Sequence, residues 1–147
     1  MNLELPVDII PGMTAASAAA AVLGAPLMTD FAVISLSDLL VPRPQILARL
    51  EALARADFVT VLYNPRSRTR TALFRETLAL FLRHRPGRTP VGIVSDASDE
   101  QQRVTLTDLE HVDEDRVDMR TIVVIGNKDT LEINRRMVTR RGYEIGA

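Results

Sequence analysis

The sequence contains no cysteine and no tryptophan, and only two histidines, His84 and His111, among its 147 residues. Without cysteine there is no disulfide framework, no thiolate nucleophile and no cysteine-built zinc site. Two isolated histidines do not make a His-rich metal centre either, so no metal is expected. Neither sign of charge dominates: 18 Lys and Arg against 19 Asp and Glu leave a net charge of −1. The broad positive field of a nucleic-acid binder is therefore missing. No apolar run reaches the roughly 20 residues that span a bilayer. Residues 1–6 carry neither the basic stretch nor the apolar stretch of a signal peptide. These absences point to a cytoplasmic protein with neither nucleic acid nor membrane as partner. The phosphate-cradling patterns G-x-x-x-x-G-K-[ST] and G-x-G-x-x-G are missing, as are the serine-hydrolase elbow G-x-S-x-G and a complete EF-hand loop. Nucleotide phosphate, acyl-serine chemistry and calcium are disfavoured accordingly.

What is present is a chain that is 46% hydrophobic and 25% charged, with no low-complexity linker. That is the profile of one globular domain spanning residues 1–147. Pro11-Gly12 breaks a short apolar run, Thr14 is placed to cap an alanine-rich helix over 15–23, and Gly24 ends it. Strand-like runs at 31–36, 58–63, 90–94, 102–106 and 121–125 alternate with helical periodicity over 44–56 and 69–84. The charged tail, 135–143, reads as a weak edge strand. Strand–helix alternation predicts an α/β fold, a single three-layer domain with a mixed, partly parallel sheet.

In such a sheet a ligand crevice lies beyond the carboxyl ends of the strands, so the segments that follow each strand carry the candidate chemistry: 11–15, 36–38, 63–70, 95–101 and 125–128. Thr14 and Ala15 begin a helix, whose free N–H groups hold a polar ligand edge as readily as they serve an ordinary cap. Tyr63 and Asn64 end a buried strand, as a binding pair or as a staple and turn. Arg66, Arg68 and Arg70 suit a substrate with several carboxylates, or a solvated helix start. Ser35, Ser37 and Asp38 supply hydroxyls and one carboxylate at another strand end. Asp96 and Asp99 read as a solvated turn, and both histidines as surface residues.

Taken in order, the strings Pro-Gly-Met-Thr-Ala-Ala, Phe-Ala-Val-Ile-Ser-Leu-Ser-Asp-Leu-Leu, Leu-Tyr-Asn-Pro-Arg-Ser, Pro-Val-Gly-Ile-Val and Val-Ile-Gly-Asn resemble the tetrapyrrole methylase family. Within it they are similar to the carboxyl-terminal half of the branch that methylates precorrin-3B at C17 in cobalamin biosynthesis. The resemblance covers residues 7–143. It implies two α/β domains in the whole enzyme, with S-adenosylmethionine in the cleft between them and the tetrapyrrole in an adjacent trough. It also implies a role for Thr14, Ala15, Tyr63, Asn64 and Ala97 toward the cofactor, and for Ser37, Asp38, Arg66, Arg68 and Arg70 toward the substrate. Asp38 is the candidate for any proton transfer in the accompanying ring contraction. Two positions depart from the family pattern: Asn64 stands where relatives carry methionine, and Ala97 where glycine is common. The Gly-rich loop of the family's amino-terminal domain does not precede residue 11. The chain is thus expected to be one half of the enzyme, inactive alone, associating with the missing amino-terminal domain and forming a homodimer. Two readings compete with this one: a non-catalytic dimerisation module, and a flavodoxin-like domain weakened by the missing phosphate loop.

Overall fold

The computed structural model describes residues 7–142 with the exception of residue 68. Residues 7–14 have no regular structure, so the apolar run at 7–10 is not a strand. The first helix, α1 (Ala15–Leu23), starts where expected, because the Thr14 hydroxyl accepts the Ser17 N–H at 3.2 Å. Gly24 ends it at φ 131°, a conformation closed to most L side chains.

The chain then runs β1 (Gly24–Ala25), β2 (Phe31–Ser35), α2 (Arg43–Arg55), β3 (Val59–Tyr63), α3 (Ala72–Leu82), β4 (Pro90–Ser95) and β5 (Arg103–Asp108). A 3-10 turn at Glu114–Arg116, β6 (Thr121–Ile125), β7 (Thr130–Ile133) and β8 (Arg136–Thr139) complete it. Helix α3 is shorter than the 69–84 periodicity predicts, since Arg66 and Arg70 lie in the loop ahead of it.

Five strands form one mixed sheet in the order β2-β3-β6-β4-β5, with β2 and β3 parallel and the other pairs antiparallel. Antiparallel pairing on both sides of β6 makes β3 and β4 run the same way. The carboxyl ends of β2, β3 and β4 therefore share one edge with the starts of β5 and β6.

Side chains alternate between the two faces. Leu62, Val91, Ile93, Val123 and Ile125 join Phe74 and Phe81 of α3 and Ile46 and Leu50 of α2 in one core. Val59, Val61, Val94 and Val124 join Ala16, Ala19 and Leu23 of α1 and Met137 of β8 in the other. Burying each of the larger side chains stabilises by about 1.5–3 kcal/mol. Gly92 lets α1 come close: a methyl group there would lie 2.5 Å from a Leu23 Cδ.

The tail corrects the expected single sheet. Residues 136–139 are the central strand of a second, three-stranded sheet, β1-β8-β7, parallel to β1 and antiparallel to β7. The β7–β8 hairpin turns through Asn134 and Arg135, both at positive φ (50° and 60°). This is the geometry of a two-residue type I′ loop. Residue 143, the end of the expected tail strand, lies outside the described residues.

Candidate functional site

Tyr63 is the last residue of β3, on the α1 side of the sheet. Its phenol oxygen accepts the Ala16 N–H at 2.7 Å. That one bond fixes the start of α1 over the carboxyl edge of the sheet, where a free helix-start N–H would otherwise need water. Segments 47 residues apart are thereby joined, and exposed Thr14 and Ala15 stand beside Tyr63 and Asn64. Ala97, past the end of β4, packs against the same core as Ala16 and Tyr63. Asn64 takes φ 49° and Asp96 φ 53°, so β3 and β4, which flank β6, both leave the sheet through a left-handed residue, a conformation Asn and Asp tolerate well.

A polar chain crosses this edge from β3 to β2. The Asn64 side-chain amide donates to Ser35 Oγ at 2.9 Å, and the Ser37 N–H reaches the same oxygen at 3.3 Å. Arg70 Nη1 donates to Ser37 Oγ at 3.3 Å and stands 3.5 Å from Asp38 Oδ1. On its other side Arg70 Nη2 lies 3.5 Å from Met119 Sδ. Arg70 thus bridges the end of β2 and the approach to β6, across the mouth of β3. Its partner Asp38 is about one third exposed, which leaves the pair open to exchange with an incoming carboxylate.

Arg66 has a different role. Its Nη1 donates to the Glu114 carbonyl and to Asp115 Oδ1, the latter at 3.1 Å. Arg75 grips the same turn, with Nε and Nη2 on the Glu114 carboxylate at 3.1 and 3.3 Å. The two guanidiniums therefore hold the turn at Glu114 and Asp115. Arg68 lies outside the described residues.

The expected segment 125–128 is at the opposite edge, because β6 is antiparallel and ends where β2, β3 and β4 begin. Its start delivers Asp118, Met119 and Arg120 to the site edge instead, with Arg120 paired to Asp96. The sequence signal for these residues was present, a strand preceded by a polar turn, but only the pairing direction reveals which end of β6 belongs to the site. Ser35 was seen as one of several hydroxyls; the structure makes it the hub of the chain. Both histidines are exposed, His84 on Glu51 at 2.6 Å and His111 on Asp108 at 2.7 Å. Among the described residues no group of three His, Asp or Glu is placed to hold a metal ion, and no helix is long and apolar enough to cross a membrane.

Residues 1–113 match the family Tetrapyrrole (Corrin/Porphyrin) Methylases. The chain belongs to the tetrapyrrole methylase family. It is 46% identical to the probable cobalt-factor III C(17)-methyltransferase of Salmonella typhimurium, over 98% of this chain and 60% of that protein. In three dimensions it is similar to the methyltransferase CobJ, with a TM-score of 0.86 at 33% identity over 94% of this chain and 58% of that one. It is also similar to the uroporphyrin-III C-methyltransferase of Thermus thermophilus complexed with S-adenosyl homocysteine, with a TM-score of 0.53 at 27% identity over 83% of this chain and 53% of that one. The chain thus spans about 60% or less of the length of these relatives.

The residue types at this edge are compatible with contact to a cofactor. Small side chains, Thr14, Ala15 and Ala97, leave room at the start of α1, and Tyr63 and Asn64 offer an aromatic face and an amide. The surface clefts on this edge, one of about 400 Å3 that includes Ser35 and Ser37 and one of about 260 Å3 that includes Ser95 and Arg103, flank these five residues and do not enclose them.

Proposed function

We propose that this chain is the carboxyl-terminal domain of a two-domain, S-adenosylmethionine-dependent enzyme of cobalamin biosynthesis. It would methylate C17 of a precorrin-3B or cobalt-factor III type of tetrapyrrole, with ring contraction. The observation that carries the reading is the Tyr63–Ala16 bond, which joins the two segments that the family resemblance assigns to the cofactor. The 46% relative named for cobalt-factor III favours the cobalt-bearing substrate.

When bound, S-adenosylmethionine supplies an electrophilic methyl group on a sulfonium whose departure leaves a neutral thioether. Orientation then accounts for most of the acceleration, so the protein needs few acid–base groups. Thr14, Ala15 and Ala97 form the small-residue wall for the cofactor, and Tyr63 and Asn64 its floor. Ser37, Asp38 and Arg70 face the substrate, Arg70 taking a carboxylate of the macrocycle and Asp38 standing by for proton transfer. Of the basic triplet, Arg66 acts indirectly by holding the turn at Glu114 and Asp115.

The rest of the enzyme would cover the exposed Ile9, Ile10 and Met13, 93%, 86% and 69% accessible here. The open edge of β2, with Phe31 and Val33 exposed and no charge from Phe31 to Ser35, supports association of two copies. A cytoplasmic location follows from the same reading.

The test uses the 147-residue chain, 15N-labelled and titrated with S-adenosylhomocysteine into the millimolar range. Amide shifts at Thr14, Ala15, Asn64 and Ala97 are expected, and Ala15→Leu, at an exposed position, should remove them without unfolding the chain. Shifts confined to the opposite edge of the sheet, or unchanged by Ala15→Leu, would refute the assignment.

A further inference from the structure

The segment between β2 and α2 is held in place by side chains. Among the described residues, no backbone–backbone hydrogen bond joins residues 37–41 to another part of the chain. The last such bond before them is the Leu36 N–H on the Tyr63 carbonyl, at 2.9 Å. Leu39 and Leu40, 76% and 95% accessible, give no anchor by burial, and only Val41 packs against the core. The remaining ties are the Ser37 N–H on Ser35 Oγ at 3.3 Å, Arg70 Nη1 on Ser37 Oγ at 3.3 Å, and Arg70 Nη1 at 3.5 Å from Asp38 Oδ1. A segment fixed by a few solvent-exposed contacts belongs to the low-stability end of a structure, so its position responds to small changes in those contacts.

Ser35 connects this segment to the other side of the edge. Its Oγ accepts the Asn64 side-chain amide at 2.9 Å as well as the Ser37 N–H. A hydroxyl oxygen has two lone pairs, so these two donors fill its acceptor capacity. The hydroxyl also stands on a firm base, because Ser35 is the last residue of β2 and is paired in the ladder with Tyr63. A ligand that draws on the Asn64 amide therefore turns the Ser35 hydroxyl and alters its bond to Ser37. The residues proposed for the cofactor and those proposed for the substrate meet at this one oxygen atom.

We propose that Ser35 is a positioning residue that couples the two ligand sides. When the cofactor engages Asn64, Ser35 Oγ resets the Ser37–Asp38 turn and with it the Arg70 guanidinium. Engagement of Arg70 acts back on Asn64 by the same free energy, since coupling between two binding sites is reciprocal. This rests on the proposed function and adds to it a residue that acts through Asn64 and Ser37, not by contact with either ligand.

The experiment uses the 15N-labelled 147-residue chain and has two arms. Without ligand, Arg70→Ala removes the guanidinium from Ser37 Oγ and should shift the side-chain NH2 resonances of Asn64; Ser35→Ala should abolish that response. With S-adenosylhomocysteine titrated into the millimolar range, the Ser37 and Asp38 amides should move with the same midpoint as Asn64. Ser35→Ala should cut the Ser37 and Asp38 shifts by about threefold or more, the effect of one ordinary hydrogen bond, while those of Thr14 and Ala15 persist. Ser35→Thr, which keeps the hydroxyl, should restore them. A purely structural role would lower the unfolding midpoint of Ser35→Ala and leave the ratio of Ser37 to Thr14 shifts unmoved. That ratio unchanged, or Asn64 side-chain resonances indifferent to Arg70→Ala, would overturn the coupling alone. Absence of any S-adenosylhomocysteine shift at Thr14, Ala15 and Asn64 would refute the functional reading, and the ligand-free arm would still decide the coupling.

Discussion

A single phenol illustrates how much the site depends on individual side chains. The Tyr63 phenol oxygen accepts the Ala16 N–H, one of the donors that every helix start leaves without an internal partner. Tyr63→Phe keeps the ring in its core and removes only the hydroxyl. The expected loss is about 1 kcal/mol of unfolding free energy, read from a denaturant midpoint, with amide changes confined to residues 14–17. A loss above about 3 kcal/mol would mean that the phenol supports the sheet itself. His111 offers a second test at the same scale. Its hydrogen bond to Asp108, aided by the charge of that carboxylate, raises its pKa above the ordinary histidine value. A raised pKa in the fold means that the bond contributes fully below the unfolded-state value and is lost as pH rises through the folded one. The imidazole should thus titrate above pH 6.5 by NMR, and Asp108→Asn should return it toward that value. A wild-type midpoint at or below 6.5 contradicts the bond.

The element scale shows where the sequence was legible and where it was not. Buried β3 and β6 carry unbroken runs of β-formers, and α2 and α3 carry clean apolar stripes, so their existence followed from pattern alone. The helix start at Thr14 and the strand end at Tyr63 were equally readable, as an N-cap and as the close of a run of β-formers. The β7–β8 hairpin was hidden. Glu132, Arg135 and Arg136 interrupt the apolar alternation, and the turn, Asn134-Arg135, lacks the glycine that usually marks type I′ loops. Charges that read as protection for an edge strand in fact belong to a small sheet that packs over the core through Met137, with Thr130 and Thr139 also buried. The pairing direction of β6 was hidden for a different reason: parallel and antiparallel buried strands have the same composition, so no local signal tells which end faces the ligand. Arg135 at φ 60° carries the steric cost of a left-handed L residue, about 1–2 kcal/mol. Arg135→Gly relieves it, against a loss of under about 1 kcal/mol from the more flexible unfolded chain. A net gain of up to about 1 kcal/mol is expected in thermal or denaturant unfolding, and a clear loss would show that the Arg135 side chain itself holds the hairpin.

At the scale of the whole molecule, the two edges of the sheet are built differently. The far edge is tied together by Arg85, whose buried guanidinium donates to the carbonyls of Leu53, Phe58 and Gly126, stands 3.7 Å from Asp57 and lies 4.7 Å over the Phe81 ring. Burial pushes its pKa down to about 10, partly opposed by Asp57, and it stays charged at neutral pH. The site edge has no such closure: Met13, Leu39, Leu40 and Met119 are exposed around half-satisfied polar groups. The proposed division of the cofactor site between two domains has a quantitative consequence. If two domains share the contacts to the cofactor about equally, a ligand held by both at about 1 μM, or −8.2 kcal/mol, keeps about −4.1 kcal/mol on one domain, which is about 1 mM. The entropic cost of immobilising the ligand is not halved, so the true value lies at or beyond that figure. Calorimetry or NMR on the 147-residue chain should therefore give a millimolar or weaker Kd for S-adenosylhomocysteine. A Kd tighter than about 10 μM would show that the described edge holds the cofactor nearly by itself, and the division of the site between two domains would have to be abandoned.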